Sequence, residues 1–225
     1  MTERKGIGDS LKEIIGKAWS AFEDPEHQKK LELERKASEA SVAQAERTRR
    51  WSELRRRRVP SAIADLVVDG ALKRTDALDE TRARLDRLVV VLAGNPGCGK
   101  TVAACSRLEE RSSGQLIRAS ELVELSSDWG DRHKLRELRS VGVLLLDDLG
   151  VEYRDAKMAS RLDDILDARI SAKLPTMITT NLTAKTFEIR YGRRVWSRLA
   201  GHGAYVELDA EDMRVTPIGS GRGGP

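Results

Sequence analysis

The chain has 225 residues, of which 34% are charged and only 4% aromatic, and its formal net charge is +4. That length holds one ordinary domain plus an appendage, and that balance describes a soluble, mildly basic protein rather than a strongly cationic coat for nucleic acid. No apolar run approaches the roughly 18 residues of a membrane span and the start lacks the layout of a secretion signal, so no membrane partner is expected and the expected location is the cytoplasm.

The chain opens with Ile7, Leu11, Ile14, Ile15, Ala18, Trp19 and Phe22 at the three-and-four spacing of one helical face, with Asp9 or Ser10 as a cap and Pro25 beyond the end. Lys12, Glu13 and Lys17 mix signs on the polar side, which argues against a membrane-surface helix. Docking on a partner protein and packing on the chain's own domain are the two readings of that face. From Glu26 to Arg58 the residues are strong helix formers without an apolar seam, predicting a long solvated helix; Leu31, Leu33, Trp51 and Leu54 are too sparse for heptads. The run Arg55 to Arg58 is either a solvated helix end or a sequence-independent contact to phosphate backbone. Val59-Pro60 closes the segment, because the residue before proline is pushed out of the helical region. The expected organisation is a charged helical extension over 1–60, a core over 61–210, and a Gly- and Pro-rich tail over 211–225 that is expected to be disordered.

Short helices are predicted over Ser61 to Asp69 and Asp76 to Arg87, the second with Leu78, Thr81, Leu85 and Leu88 along one side. Leu88 to Ala93 is an apolar run suited to a strand buried on both faces of a parallel sheet. It delivers Gly94 to Thr101, G-N-P-G-C-G-K-T, which fits the phosphate-binding pattern G-x-x-x-x-G-K-[ST] at every fixed position. Gly94, Gly97 and Gly99 allow a sharp turn whose amides face inward around anionic charge, with Asn95, Pro96 and Cys98 completing the loop. Lys100 is expected to neutralise the β- and γ-phosphates, and Thr101 to offer a hydroxyl to Mg²⁺. The helix beginning at Val102 presents its positive end to the same phosphates. Cys98 and Cys105, the two cysteines, are expected as reduced thiols, since a disulfide there would distort the loop.

Gln115 to Arg118 reads as a brief strand, and Ser120 caps a helix through Leu125. The following helix carries Arg132, His133, Lys134, Arg136 and Arg139 beside Trp129, which reads either as a single-stranded nucleic acid contact or as ordinary surface charge. Val141 to Leu146 is a second buried strand and runs into Asp147 and Asp148. A carboxylate at the C-terminal edge of such a strand faces the crevice beside the phosphate loop, so Asp147 is the candidate magnesium holder and Asp148 the candidate for orienting the attacking water. After a helix over Ala156 to Lys173, the strand Pro175 to Thr180 ends at Asn181, which either senses the γ-phosphate or simply forms a turn. Helices over Lys185 to Arg190 and Gly192 to Ala200, the latter with Arg193, Arg194 and Arg198, precede a last strand at Ala204 to Leu208.

The order of these parts, with T-T-N and then Y-G-R-R-V-W-S-R-L, resembles the AAA+ ATPases of the DnaC and IstB group over Val59 to Leu208, with the DnaC-like helicase loaders the nearer likeness. The resemblance implies an α/β fold, an AAA+ P-loop core with a parallel sheet flanked by helices; the residues themselves predict an N-terminal helical extension and, after Leu208, no room for the separate helical lid of many AAA+ proteins. The resemblance also implies ATP and Mg²⁺ as ligands, self-association with ATP at subunit interfaces, single-stranded DNA, and a replicative DNA helicase engaged through residues 1–60. Asn181 then matches the sensor position and Arg198 the arginine finger acting on a neighbour's ATP, with Arg194 one helical turn earlier as the fallback. The short remainder after Leu208 predicts slow turnover. The rival readings are an IstB-like transposition ATPase on duplex DNA and a nucleotide-gated assembly adaptor with little hydrolysis.

Overall fold

The computed structural model describes residues 25–72, 75–84, 86–125, 129–152 and 156–209. The amphipathic stretch at 7–22, the tail at 211–225 and Leu85 lie outside the described residues, as does the side chain of Trp129. Among the described residues no helix is long and apolar enough to cross a membrane. Contacts divide the chain into two units, 1–49 and 50–225, a boundary that falls before the Val59-Pro60 break.

Helix α1, Pro25–Arg56, belongs to both units. Up to Arg49 it is the solvated helix that its composition predicts, supported by i,i+4 pairs such as Lys36 to Glu32 at 2.7 Å. Beyond Arg49 the expectation of a solvated helix fails. Leu54 is 1% exposed and belongs to the core, and the four arginines are engaged inside their own unit. Arg55 donates to the Val59 carbonyl at 2.5 Å, Arg56 pairs with Glu53 at 3.7 Å, and Arg58 pairs with Glu121 at 2.7 Å. Buried Arg57 donates to the carbonyls of Leu108, Arg111 and Ser112, the last two at 2.7 and 3.1 Å. The reason is that helix α4, Lys100–Glu109, leaves orphan carbonyls at its C-terminus, and a planar guanidinium satisfies several at once. Arg57 is thus withdrawn from solvent, whereas Arg55, Arg56 and Arg58 stay exposed.

Helices α2, Ser61–Val68, and α3, Asp76–Ala83, follow; Thr75 caps α3 by accepting from the Leu78 amide. The remaining elements are β1 Val89–Gly94, β2 Gly114–Arg118, α5 Ala119–Glu124, α6 Trp129–Ser140, β3 Val143–Leu149, α7 Ala156–Ser171, β4 Thr176–Thr180, α8 Ala184–His202 and β5 Gly203–Leu208. The five strands are parallel and ordered β2-β3-β4-β1-β5, so β1 lies between β4 and β5, with Val91 beside Ile178 and Tyr205. Apolar residues alternate between the faces. Val90, Leu92 and Leu145 pack toward the end of α1, α2, α3 and α4; Val91, Leu144 and Ile178 pack toward α5 to α8.

The two helices expected over 185–190 and 192–200 are the two arms of α8, separated by non-helical backbone at Gly192, where φ is 87°. At the N-terminal end of the strands, Arg169 is 0% exposed and donates to the carbonyls of Leu138, Val141 and Pro175 and to Thr176 Oγ1, at 2.6 to 2.9 Å. Burial lowers its pKa to about 10, so it stays charged while stapling α6, α7, β3 and β4 together. Most of the candidate site residues lie at the opposite, C-terminal end of the strands.

Candidate nucleotide and metal site

Strand β1 ends at Gly94, where an added Cβ would stand 2.6 Å from the Leu208 carbonyl of β5, so only glycine lets the strand turn into the loop. Gly97 and Gly99 take left-handed φ of 84° and 87°, and α4 begins at Lys100. The Lys100 ammonium is folded back into its own loop. It donates to the carbonyls of Gly94 and Asn95, both at 2.8 Å, and lies 3.5 Å from Cys98 Sγ. Both cysteines are buried free thiols, and burial pushes the Cys105 pKa well up, with Asp147 adding to it.

Strand β3 carries the acids. Asp147 is 4% exposed, and its Oδ1 accepts from Thr101 Oγ1 at 2.9 Å and from Thr179 Oγ1 at 2.7 Å. Burial raises its pKa and the charge of Asp148 adds to the rise, while the two hydroxyls and Arg118 oppose it. Asp148 is exposed and sits in the left-handed region with φ of 57°, its amide donating to Thr179 Oγ1 at 2.9 Å.

These elements border a cavity of about 500 Å³ with Lys100, Thr101, Asp147, Asp148, Asn181 and Arg118 in its wall. Pro96, Gly97, Gly99 and Val102 complete the loop side of it. Of the other predicted loop residues, Gly94 and Asn95 act from behind by holding Lys100, and Cys98 is buried beneath. Next to it lies a second, apolar cavity of about 240 Å³ that shares Gly99 and Val102 and is walled by Leu66, Leu72 and Leu78.

Arg198 is not in this wall. It lies on α8 and pairs with Asp163 at 3.2 Å and Asp167 at 2.7 Å of α7. Conversely, the sequence reading missed Arg118 and Thr179. Arg118 is the last residue of β2 and stands in register with Asp147, a signal present in the strand ends themselves. On α6, Lys134 pairs with Glu137 and Arg139 with Asp164, so part of that helix's basic side is neutralised within the chain.

No family model matches the chain. It is 27% identical over 139 residues to the replicative helicase loader DnaC of Escherichia coli K12, a match covering 56% of this chain and 57% of that protein. The crystal structure of the DnaC helicase loader superposes with a TM-score of 0.52 at 20% identity, over 61% of this chain and 93% of that one. The chain is thus similar in sequence to DnaC and shares the fold of that loader's crystal structure. The replication initiator DnaA bound to AMPPCP and single-stranded DNA shares the same fold, with a TM-score of 0.51 at 18% identity over 60% of this chain and 45% of that one. Another relative of this DnaC-like protein, the uncharacterized protein YdaV of E. coli K12, is 25% identical over 160 residues, 64% of each chain. The match to curated DnaC thus spans a little over half of that loader's length.

Proposed function

We propose that this DnaC-like protein is an ATP-dependent switch that acts in the cytoplasm, binds single-stranded DNA and delivers a replicative helicase. The observation that carries the nucleotide reading is the 2.9 Å contact of Thr101 Oγ1 with Asp147 Oδ1, which joins the phosphate loop to the acid strand within one cavity. A hydroxyl beside a carboxylate is a hard oxygen donor set suited to Mg²⁺, and a buried acid with a raised pKa gains most from a cation neighbour. Thr101 and Asp147 would hold the ion, which when bound neutralises charge on the phosphate oxygens. Lys100 and the amides of the loop bind the β- and γ-phosphates. Asp148, exposed in the same wall, orients the attacking water, Asn181 contacts the γ-phosphate, and Arg118 balances the second acid. The base occupies the adjoining cavity, a reading supported by its apolar walls of Leu66, Leu72 and Leu78. Arg198 acts on the neighbouring copy's ATP, in keeping with its place outside its own cleft. Residues 1–60 engage the helicase, a role supported by the likeness to DnaC and by the exposed, highly charged stretch of α1.

The decisive experiment is a fluorescent-ATP titration paired with phosphate release in the presence of single-stranded DNA. Lys100→Ala should abolish binding, whereas Asp148→Asn should bind as the parent does and lose hydrolysis by about 100-fold or more. Parent protein with no affinity for Mg-ATP would overturn the proposal. Preference for duplex over single-stranded DNA at matched salt would point instead to a transposition ATPase.

A further inference from the structure

Asp148 is a non-glycine residue held in a left-handed conformation, and the turn that follows contains a second left-handed residue, Gly150, with φ of 104°. An added Cβ at Gly150 would stand 2.8 Å from Leu182 Cγ. Glycine adopts such a φ freely, but for Asp148 it is costly and persists only where surrounding groups fix it. The turn is closed by a buried carboxylate. Glu152, whose side chain is 2% exposed, accepts from the Gly150 amide through Oε2 at 2.7 Å, and the Val151 amide donates back to the Asp148 carbonyl at 3.3 Å. Asp148 and Val151, at the two ends of this turn, both line the nucleotide cavity.

The other oxygen of Glu152 faces α8. It accepts from Tyr191 OH at 2.5 Å and from Arg190 Nε at 3.1 Å, and the Glu152 carbonyl accepts from Arg190 Nη2. Tyr191 immediately precedes the break at Gly192, and beyond that break stand exposed Arg193 and Arg194 and then Arg198. One carboxylate therefore bonds both the turn that aims Asp148 and the corner of the helix that carries the arginines.

We infer that Glu152 is a positioning residue for hydrolysis: it fixes Asp148 through the Gly150 amide and ties that turn to the corner of α8 through Arg190 and Tyr191. The inference rests on the ATPase reading above for its catalytic consequence, and on the hydrogen bonds alone for its structural one.

Two variants separate this role from a merely structural one. Glu152→Ala would strand the Arg190 guanidinium under cover, so Glu152→Gln and Tyr191→Phe carry the test. In Glu152→Gln the amide oxygen stays with Arg190 and Tyr191, which leaves the amide NH₂ facing the Gly150 N–H, donor against donor, and releases the turn. Tyr191→Phe removes one hydroxyl and leaves the Gly150 bond in place. In the full-length protein with single-stranded DNA, Glu152→Gln should lower kcat about tenfold with KM for ATP within about twofold, while Tyr191→Phe keeps both within about twofold. Hydrogen exchange over 148–152 in the ligand-free protein should accelerate in Glu152→Gln and stay at the parent rate in Tyr191→Phe. Equal losses of kcat in both variants, or parent-like kcat or exchange in Glu152→Gln, would overturn the inference. Parent protein that binds no Mg-ATP would sink the nucleotide reading and the catalytic role together, whereas active parent beside an equally active Glu152→Gln would sink this inference alone.

Discussion

At the level of single residues, Asp147 keeps a carboxylate under cover with two hydroxyls as its hydrogen-bond donors. Its raised pKa means that the fold favours the protonated acid. That contribution to stability is present below the unfolded-state pKa and is lost as pH rises through the raised one. Asp147→Asn, which imitates the neutral acid, should therefore raise the melting temperature of the ligand-free protein at neutral pH by a few degrees, about 1 kcal/mol, and abolish its stabilisation by Mg-ATP. Parent affinity for Mg-ATP should weaken as pH falls through the same raised pKa, since the cation needs the ionised form. Thermal melts with and without Mg-ATP check both, and a less stable ligand-free variant would refute the argument. That Lys100, Thr101 and Asp147 come together in one cavity could be read from sequence, because phosphate chemistry dictates residue type and spacing. Thr179 and Glu152 could not, because each earns its role from a partner on another strand or helix.

Among the elements, the C-terminal turns of α1 show why a polar pattern misleads. Arg55 to Arg58 look solvated because no apolar seam accompanies them, yet Arg57 is buried by the carbonyls of Leu108, Arg111 and Ser112, a demand set by the far end of α4. The backbone carbonyl of Arg57 also accepts from the Leu116 amide, covering the outer edge of β2. A chain starting at Arg50 should therefore melt cooperatively near the full-length temperature. One starting at Ser61 loses Leu54 and Arg57 and should be destabilised by about 3 kcal/mol or more, measurable by circular dichroism. Equal melting of the two would show that α1 contributes nothing to the unit over 50–225. The strands were more legible: every apolar run expected as a strand is one, since strands covered on both faces read as continuous Val, Leu and Ile. Their order was not, because parallel neighbours are joined across long sequence separations.

For the molecule as a whole, the proposed role of Arg198, which does not line the cleft walled by Lys100, Asp147 and Asp148, makes activity depend on company. Phosphate release per chain should rise with protein concentration. Arg198→Ala and Lys100→Ala, each inactive alone, should recover part of the parent rate when mixed, because one supplies an intact pocket and the other an intact finger. Failure to complement would confine the role of Arg198 to its pairing with Asp163 and Asp167 on α7.

The folded-back ammonium of Lys100 has a consequence for selectivity. A ligand recruits it only by replacing two carbonyl dipoles, those of Gly94 and Asn95, with something electrostatically stronger. Nucleosides and singly charged metabolites fall short of that exchange, whereas a polyphosphate exceeds it. On the proposed phosphate-binding reading, the loop thus sets a charge threshold that admits ligands by anionic strength.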